Sequence, residues 1–279
     1  MHPHPLETRP IPRTGERIPA VGLGTWQAFD GPRDGPERAA AKETLRTLVE
    51  LGGTVVDSSP MYGAAEQAVG ALSTELGLAG KLFVATKVWT SGRDAGIRQM
   101  EASFRRLGVA RLDLMQIHNL VDTDTHLATL AGWKKEGRVR YLGVTHYTAS
   151  GHPGLEAAIR AHRPDFVQLN YSLAEREAER QLLPLAQGEG VAVLVNRPLG
   201  QGRMFAGVKG KPLPGWAQEI DCASWAQVFL KFILGHPAVT CVIPGTRNAG
   251  HLADNIGAAR GRLPDAALHA RMAAYFDSI

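Results

Sequence analysis

The chain has 279 residues, of which 44% are hydrophobic and 21% are charged, and this composition excludes a fibrous or largely disordered protein. The net charge is +4, but basic and acidic residues are interspersed, which argues against a nucleic-acid-binding surface. No run reaches the ~18 apolar residues of a membrane span, and the first residues lack the apolar core of a signal peptide. We therefore expect a cytoplasmic protein, with an exported form still open if a leader preceded Met1.

The two cysteines and the ten histidines do not suggest a metal site. Cys222 and Cys241 stand in neither a zinc-ligand nor a redox-motif spacing. The histidines show no ligand spacing with a carboxylate or a cysteine. We expect buried free thiols and no metal.

Short runs rich in valine, isoleucine and leucine recur along the chain and are too continuous for strands exposed on one face. Such runs are typical of parallel strands that are buried on both faces. The predicted strands cover residues 21–26, 53–58, 82–89, 112–119, 139–146, 165–171, 191–198 and 239–246.

Helical periodicity fills the intervals between these runs. An alternation of strands and helices predicts either a (β/α)8 barrel or a doubly wound sheet. The length is typical of the barrel, and no GxGxxG follows the first strand, so an α/β fold of the TIM-barrel type is favoured. The predicted helices cover residues 36–51, 65–79, 95–107, 125–136, 153–162, 176–189, 221–235, 248–258 and 264–277.

Three further features complete the predicted barrel. The segment 9–21 predicts an N-terminal β-hairpin that turns at Thr14–Gly15 and covers the bottom of the barrel. The last pair of helices adds to the eight-fold repeat at the C-terminus. The segment 200–215, rich in glycine and proline, predicts a long loop over the top face. No linker divides the chain, so a single domain over residues 1–279 is expected.

Four polar residues stand at or just after the carboxyl ends of three consecutive strands: Asp57, Tyr62, Lys87 and His118. In a parallel barrel these ends meet on one face. Because an ordinary tyrosine has a pKa near ~10, it is a poor acid at neutral pH. A lysine ~4 Å away would favour the phenolate by roughly 4 kcal/mol at an effective dielectric of ~20. Desolvation of the phenolate opposes this attraction, so we expect a smaller net lowering of the pKa of Tyr62, with Asp57 holding Lys87 in place.

These residue types suit the protonation of a carbonyl oxygen, which His118 could orient through a hydrogen bond. The hydride of such a reduction must come from a cofactor. Taken singly, each residue also has a structural explanation, as a solvated strand end, a turn residue or loop packing. Their occurrence together at one end of the barrel favours catalysis.

The chain resembles the aldo-keto reductase family over nearly its whole length. The resemblance implies a TIM barrel and an NADPH-dependent reduction of aldehydes or ketones to alcohols, with NADH as an alternative cofactor. It also implies Tyr62 as the general acid, supported by Asp57, Lys87 and His118. The motifs that carry it are GLGTW, the run SSPMYGAAEQAVG directly after Asp57, ATKVW, DLMQIHN, GRVRYLGVTHY, FVQLNYS and VIPGTRNAGHLADN.

A cofactor site follows from the same resemblance. The chain departs from the family pattern at His146, where an asparagine is usual, and at Asn196, where a tyrosine often stacks on the nicotinamide. Gly245 and His251 replace a lysine and an arginine, so Arg247 is expected to hold the 2′-phosphate. The implied cofactor-binding residues are Gly24, Thr25, Trp26, Asp57, Thr145, His146, Gln168, Asn196, Arg197, Pro198, Leu199, Gly200, Gly202, Ile243, Pro244, Gly245, Thr246, Arg247, His251 and Asn255.

The implied substrate is a small carbonyl compound. Its expected binding residues are Trp26, Tyr62, Trp89 and His118, and Met61 and Asn119 are also expected to face the pocket. We expect a monomer or a weak homo-oligomer, with no nucleic-acid or membrane partner. Two other functions stay open: a regulatory protein that senses the redox state of a nicotinamide with little turnover, and a lyase or isomerase that forms a Schiff base on the lysine.

Overall fold

The computed structural model describes residues 4–31 and 34–279. Its strands are short and its helices lie between them. The strands are β1 Thr8–Pro10, β2 Arg17–Pro19, β3 Leu23–Gly24, β4 Val55–Asp57, β5 Phe83–Val88, β6 Leu112–His118, β7 Val139–Thr145, β8 Phe166–Asn170, β9 Ala192–Asn196 and β10 Val239–Val242. The α-helices are α1 Pro36–Glu50, α2 Ala65–Glu75, α3 Arg93–Leu107, α4 Thr123–Lys135, α5 His152–His162, α6 Leu182–Gly188, α7 Met204–Gly207, α8 Trp225–Gly235, α9 Ala249–Gly257 and α10 Ala266–Asp277.

Strands β3 to β10 form one parallel sheet in sequential order across the described residues. The two edges of this sheet are joined by parallel bridges, from Val21 to Val242 and from Gly24 to Gly245. At the second bridge a Cβ on Gly24 would stand 2.7 Å from the carbonyl oxygen of Ile243. Only glycine permits this approach, so Gly24 allows the sheet to close. The predicted TIM barrel is confirmed.

The interior of the barrel is a separate apolar cluster from the packing between sheet and helices. It includes Phe83, Tyr141 and Phe166, with the Tyr141 and Phe166 rings 5.5 Å apart. Ile11 and Ile18 of the β1–β2 hairpin belong to the same cluster and are at most 2% exposed. The hairpin therefore covers one end of the barrel, as predicted, and leaves the carboxyl ends of the strands at the other.

Three predicted elements differ from the structure. The helix predicted over 176–189 is a 3-10 turn at Glu177–Glu179 followed by α6, because the backbone of Gln181 is extended in φ (−146°). The segment 200–215 is not all loop, since it contains α7. The helix predicted from residue 221 begins only at Trp225, because Asp221 has a positive φ and the backbone of Ser224, the N-cap residue, is extended.

Other features of the fold agree with the sequence. Gly108 ends α3 in the left-handed conformation, with φ 67°, as expected of a glycine after a helix. Cys222 and Cys241 are buried and free. In the part of the chain that the structure describes, none of the helices is both long and apolar enough to cross a membrane.

Candidate active site

A cavity of about 1070 Å³ opens at the carboxyl ends of the barrel strands. Most residues implied by the family resemblance line it, although they come from segments throughout the chain. The predicted residues on its wall are Gly24, Thr25, Trp26, Asp57, Met61, Tyr62, Trp89, His118, Asn119, Thr145, Gln168, Asn196, Arg197, Pro198, Leu199, Gln201, Gly202, Ile243, Pro244, Gly245, Thr246, Arg247, His251 and Asn255.

Lys87 and Asp57 form a buried ion pair beneath the cavity. The Lys87 side chain is fully buried, and its Nζ donates hydrogen bonds to Asp57 Oδ2 at 2.6 Å and to the Ser58 carbonyl at 2.8 Å. Burial works to lower the pKa of Lys87, but the Asp57 carboxylate outweighs it and the pKa is raised. Lys87 is therefore a fixed positive charge rather than the neutral amine that Schiff-base chemistry requires.

The second oxygen of Asp57 is held by two amides. Asp57 Oδ1 accepts hydrogen bonds from Gln116 Nε2 at 3.0 Å and from Gln168 Nε2 at 2.9 Å. Gln168 Oε1 in turn accepts from Thr145 Oγ1 at 3.3 Å. These side chains come from β4, β6, β7 and β8, so the network links four strands. It also fixes the position of the carboxylate that holds Lys87.

Tyr62 stands above this ion pair in the turn that follows β4. The turn is fixed by hydrogen bonds from the Tyr62 amide to the Ser59 carbonyl at 3.0 Å and from the Met61 amide to Ser59 Oγ at 3.2 Å. The Tyr62 ring is half-buried, and its centroid lies 4.9 Å from Lys87 Nζ. Sequence and turn geometry thus bring the phenol and the ammonium together.

The expected net lowering of the Tyr62 pKa is wrong. Burial raises the pKa above its ordinary value, because the phenolate would lose its hydration, and the Lys87 ammonium offsets only part of this effect. The residue is therefore a neutral phenol at neutral pH. The Lys87 ammonium favours the phenolate form, but in this structure its attraction does not outweigh the effect of burial.

His118 ends β6 beside the phenol. Its ring lies edge-on to that of Tyr62, with centroids 6.2 Å apart, and its Nδ1 is 3.4 Å from Ser59 Oγ. Burial, together with the positive charge of Lys87, lowers the pKa of His118 to about 3. The imidazole is therefore uncharged at neutral pH and can donate one hydrogen bond.

Three predicted site residues do not line the cavity. Lys87 lies behind Asp57, as its ion pair requires. The His146 ring packs against Gly151, and its Nδ1 accepts from the Thr148 amide at 3.3 Å, so this side chain turns away from the wall. Gly200 is buried beneath Met204.

Asn196 and Arg197 occupy the end of β9 and leave polar atoms without partners. Asn196 Nδ2 lies 3.3 Å from the His146 carbonyl oxygen, but its Oδ1 is buried with no hydrogen-bond partner among residues 4–31 and 34–279. Arg197 has a left-handed backbone, with φ 51°, and its Nη1 donates to the Tyr147 carbonyl at 2.9 Å. Both residues line the cavity, so a ligand could satisfy the free oxygen.

Several residues that line the cavity were not predicted from the sequence. Ser224, Trp225 and Ala226 bring the N-terminus of α8 to the wall. Ser224 Oγ accepts from the Gln227 amide at 3.1 Å, and this Ser-x-x-Gln spacing is a helix-start signal that was available in the sequence. The other residues that were not predicted are Gln27, Ala28, Tyr147, Phe205 and Asp254.

Comparison with known proteins places these features in a family. The model of the aldo/keto reductase family matches residues 20–274. The methylglyoxal reductase YeaE of Escherichia coli (strain K12) is 31% identical over 259 residues, which cover 90% of this chain and 89% of that protein.

Solved structures agree with the sequence relatives. An aldo/keto reductase from Klebsiella pneumoniae, in complex with NADP and acetate, is 26% identical and superimposes with a TM-score of 0.78 over 94% of this chain and 93% of its own. The thermostable aldo-keto reductase Tm1743, in complex with the inhibitor epalrestat, is 27% identical, with a TM-score of 0.79 over 98% of this chain and 99% of its own. The chain therefore belongs to the aldo/keto reductase family, as its motifs indicated.

Proposed function

We propose that this chain is an NADPH-dependent reductase that converts aldehyde or ketone carbonyls to alcohols, with residues 1–279 acting as one domain. The observation that carries the proposal is the stack of a buried Lys87–Asp57 ion pair under the half-buried Tyr62, on the wall of a large cavity. The complexes of related reductases from Klebsiella pneumoniae with NADP and with NADPH support the choice of cofactor.

The cavity residues fit a nicotinamide dinucleotide. The cavity volume of about 1070 Å³ is slightly above the ~300–1000 Å³ usual for small-ligand pockets. The unpartnered Asn196 Oδ1 suits a carboxamide N–H, with Thr145 and Gln168 on the neighbouring strand ends. The N-termini of α8 and α9 also reach the wall, and helix N-termini favour phosphate groups.

When bound, the dinucleotide supplies a hydride to the carbonyl carbon. Tyr62 gives its phenolic proton to the carbonyl oxygen, so that a carbonyl compound, NADPH and one proton yield an alcohol and NADP⁺. Lys87 stabilises the phenolate that this step leaves behind, and Asp57 keeps the ammonium charged and in place. The neutral imidazole of His118 donates a hydrogen bond that orients the carbonyl.

The substrate side of the cavity is apolar. Trp26 and Trp89 are 44% and 39% exposed, and they line the cavity with Met61. The backbone of Trp89 is fixed by Gln99, whose Nε2 donates to the Trp89 carbonyl at 3.1 Å. We infer a pocket for small carbonyl compounds with an apolar or aromatic body. Methylglyoxal belongs in the test panel, because it is the substrate named for the Escherichia coli relative.

The test is multiple-turnover oxidation of NADPH, followed by its absorbance, with methylglyoxal and an aromatic aldehyde. The wild-type chain is expected to turn over at least one of them, and Tyr62→Phe is expected to lose ~10²–10⁴ in kcat while it keeps its Kd for NADPH. Full activity in the Phe variant would refute the mechanism. NADPH binding without turnover on the whole panel would instead favour a redox-sensing protein.

A further inference from the structure

An ion pair joins a residue of the cavity wall, Arg247, to Glu37 of helix α1. Arg247 lines the cavity, and its Nη1 is 3.2 Å from Glu37 Oε2, although the two residues are 210 positions apart. The two side chains are 42% and 43% exposed, so both remain accessible to a ligand. The cation expected to hold a 2′-phosphate therefore already faces a carboxylate.

The surrounding structure holds this carboxylate beside Arg247. Glu37 is in the first turn of α1, where the helix N-terminus favours a negative charge. A Cβ on Gly31 would collide with the Glu37 carboxylate, so the loop after β3 packs directly against it. Arg247 precedes Asn248, the residue whose side chain caps α9. Two helix N-termini and a pair of opposite charges thus meet at one place.

NADPH and NADH differ only at the adenosine end of the molecule, where one has a phosphate and the other a hydroxyl on the ribose 2′ position. An arginine binds the phosphate through its planar fork. A carboxylate accepts a hydrogen bond from the 2′-hydroxyl, as in other dinucleotide sites, and repels the phosphate. The chain presents both groups to the same position.

We propose that Glu37 is a selectivity residue that weakens NADPH binding and supports NADH binding, so that the chain uses both cofactors. The inference rests on the proposed function, because it requires the adenosine end of the cofactor to lie near Arg247. With NADH, Glu37 accepts the 2′-hydroxyl hydrogen bond while Arg247 stays paired with it. With NADPH, the phosphate takes Arg247 from Glu37 and must tolerate the nearby carboxylate.

The test compares Glu37→Gln with Glu43→Gln. Both changes remove one carboxylate from α1, but Glu43 pairs with Arg46 on the helix surface rather than with a cavity residue. The Kd values for NADPH, NADH, 2′,5′-ADP and 5′-AMP would be measured by calorimetric titration at low salt. The two adenosine nucleotides isolate the 2′-phosphate from the rest of the cofactor.

Glu37→Gln is expected to lower the Kd for NADPH and 2′,5′-ADP by about tenfold, which corresponds to about 1.4 kcal/mol. The Kd for NADH is expected to rise about two- to fivefold, and Glu43→Gln should change none of the four values by more than about twofold. In an Arg247→Ala background, the gain for 2′,5′-ADP should shrink, because the phosphate then has no freed arginine to bind.

Two results would count against the inference in different ways. If Glu37→Gln changes the Kd for NADPH and NADH by the same factor, or no more than Glu43→Gln does, Glu37 does not set selectivity, while the proposed reductase function stands. If the wild-type chain binds neither NADPH nor NADH, the proposed function fails and the selectivity role of Glu37 fails with it.

Discussion

Replacing Lys87 by methionine tests how the site stabilises charge. Lys87 Nζ lies 4.9 Å from the centre of the Tyr62 ring and is fully buried. At ~5 Å and an effective dielectric of ~20, the attraction between an ammonium and a phenolate is roughly 3 kcal/mol. Because this attraction exists only once the proton has left Tyr62, its loss should appear in the rate. We expect kcat to fall by two to three orders of magnitude, since ~1.4 kcal/mol is one order.

The same substitution should also destabilise the fold. Asp57 would keep its hydrogen bonds from Gln116 and Gln168 but would lose the ammonium that balances its buried charge. Breaking a buried pair on one side costs about 3–5 kcal/mol. Urea unfolding and single-turnover NADPH oxidation, measured on the same variant at a temperature where it is folded, separate the two effects.

The double variant Lys87→Met with Asp57→Asn is the matched control. It removes both charges, so it should recover much of the lost stability because no unpaired carboxylate remains. Its kcat should stay as low as that of the single variant, because the positive charge beneath the phenol is still missing. A Lys87→Met enzyme with kcat within about threefold of the wild type would refute the electrostatic role of Lys87.

Three further substitutions test other parts of the molecule. The pKa of His118 is lowered from 6.5 to about 3 in the folded chain, so the unfolded chain binds the proton at a higher pH than the folded chain does. The contribution of His118 to the free energy of unfolding should therefore be complete above pH ~6.5 and fall as the pH drops toward ~3. His118→Asn should flatten this part of a urea-unfolding pH series, and an unchanged slope would contradict the assignment. Lys231→Met should lower stability by about 2–4 kcal/mol, because Nζ donates to three main-chain carbonyls in a buried position; an unchanged urea midpoint would show that these bonds contribute nothing. Gly24→Ala should weaken both barrel closure and cofactor binding, because its Cβ would stand 2.7 Å from the Ile243 carbonyl oxygen; wild-type Tm and Kd for NADPH would mean that the two strands move apart freely.

The sequence was sufficient to predict the barrel and to predict that the candidate catalytic residues lie close together. Buried strands have a distinctive composition, and in a parallel barrel all residues at the carboxyl ends of the strands lie at the same face. Asp57 and His118 each end a strand, and Lys87 is one residue from the end of β5, so their convergence follows from the strand assignments. Gly24 and Gly245 were both predicted to be site residues, but the sequence did not predict the contact between them that closes the barrel.

The sequence did not predict how deeply each side chain is buried or which residues distant in sequence are in contact. The direction of the Tyr62 pKa depends on whether desolvation exceeds the attraction of Lys87, and only the packed structure decides this balance. The orientation of His146 follows from its packing on Gly151, which a strand-end position does not reveal. The pairing of Glu37 with Arg247 joins α1 to the loop between β10 and α9, and no local sequence pattern predicts it.

The proposed reduction would give the buried ion pair a role here, although such pairs contribute little to stability. Lys87 and Asp57 balance each other, Tyr62 is a neutral phenol, and His118 is a neutral imidazole. In the proposed mechanism, the charge that develops on the carbonyl oxygen is therefore new to a site whose own charges balance. It meets a proton donor, a hydrogen-bond donor and an ammonium that are all fixed before the reaction begins. Preorganised groups of this kind need no reorganisation during the step, and they are the usual source of large rate effects in enzymes.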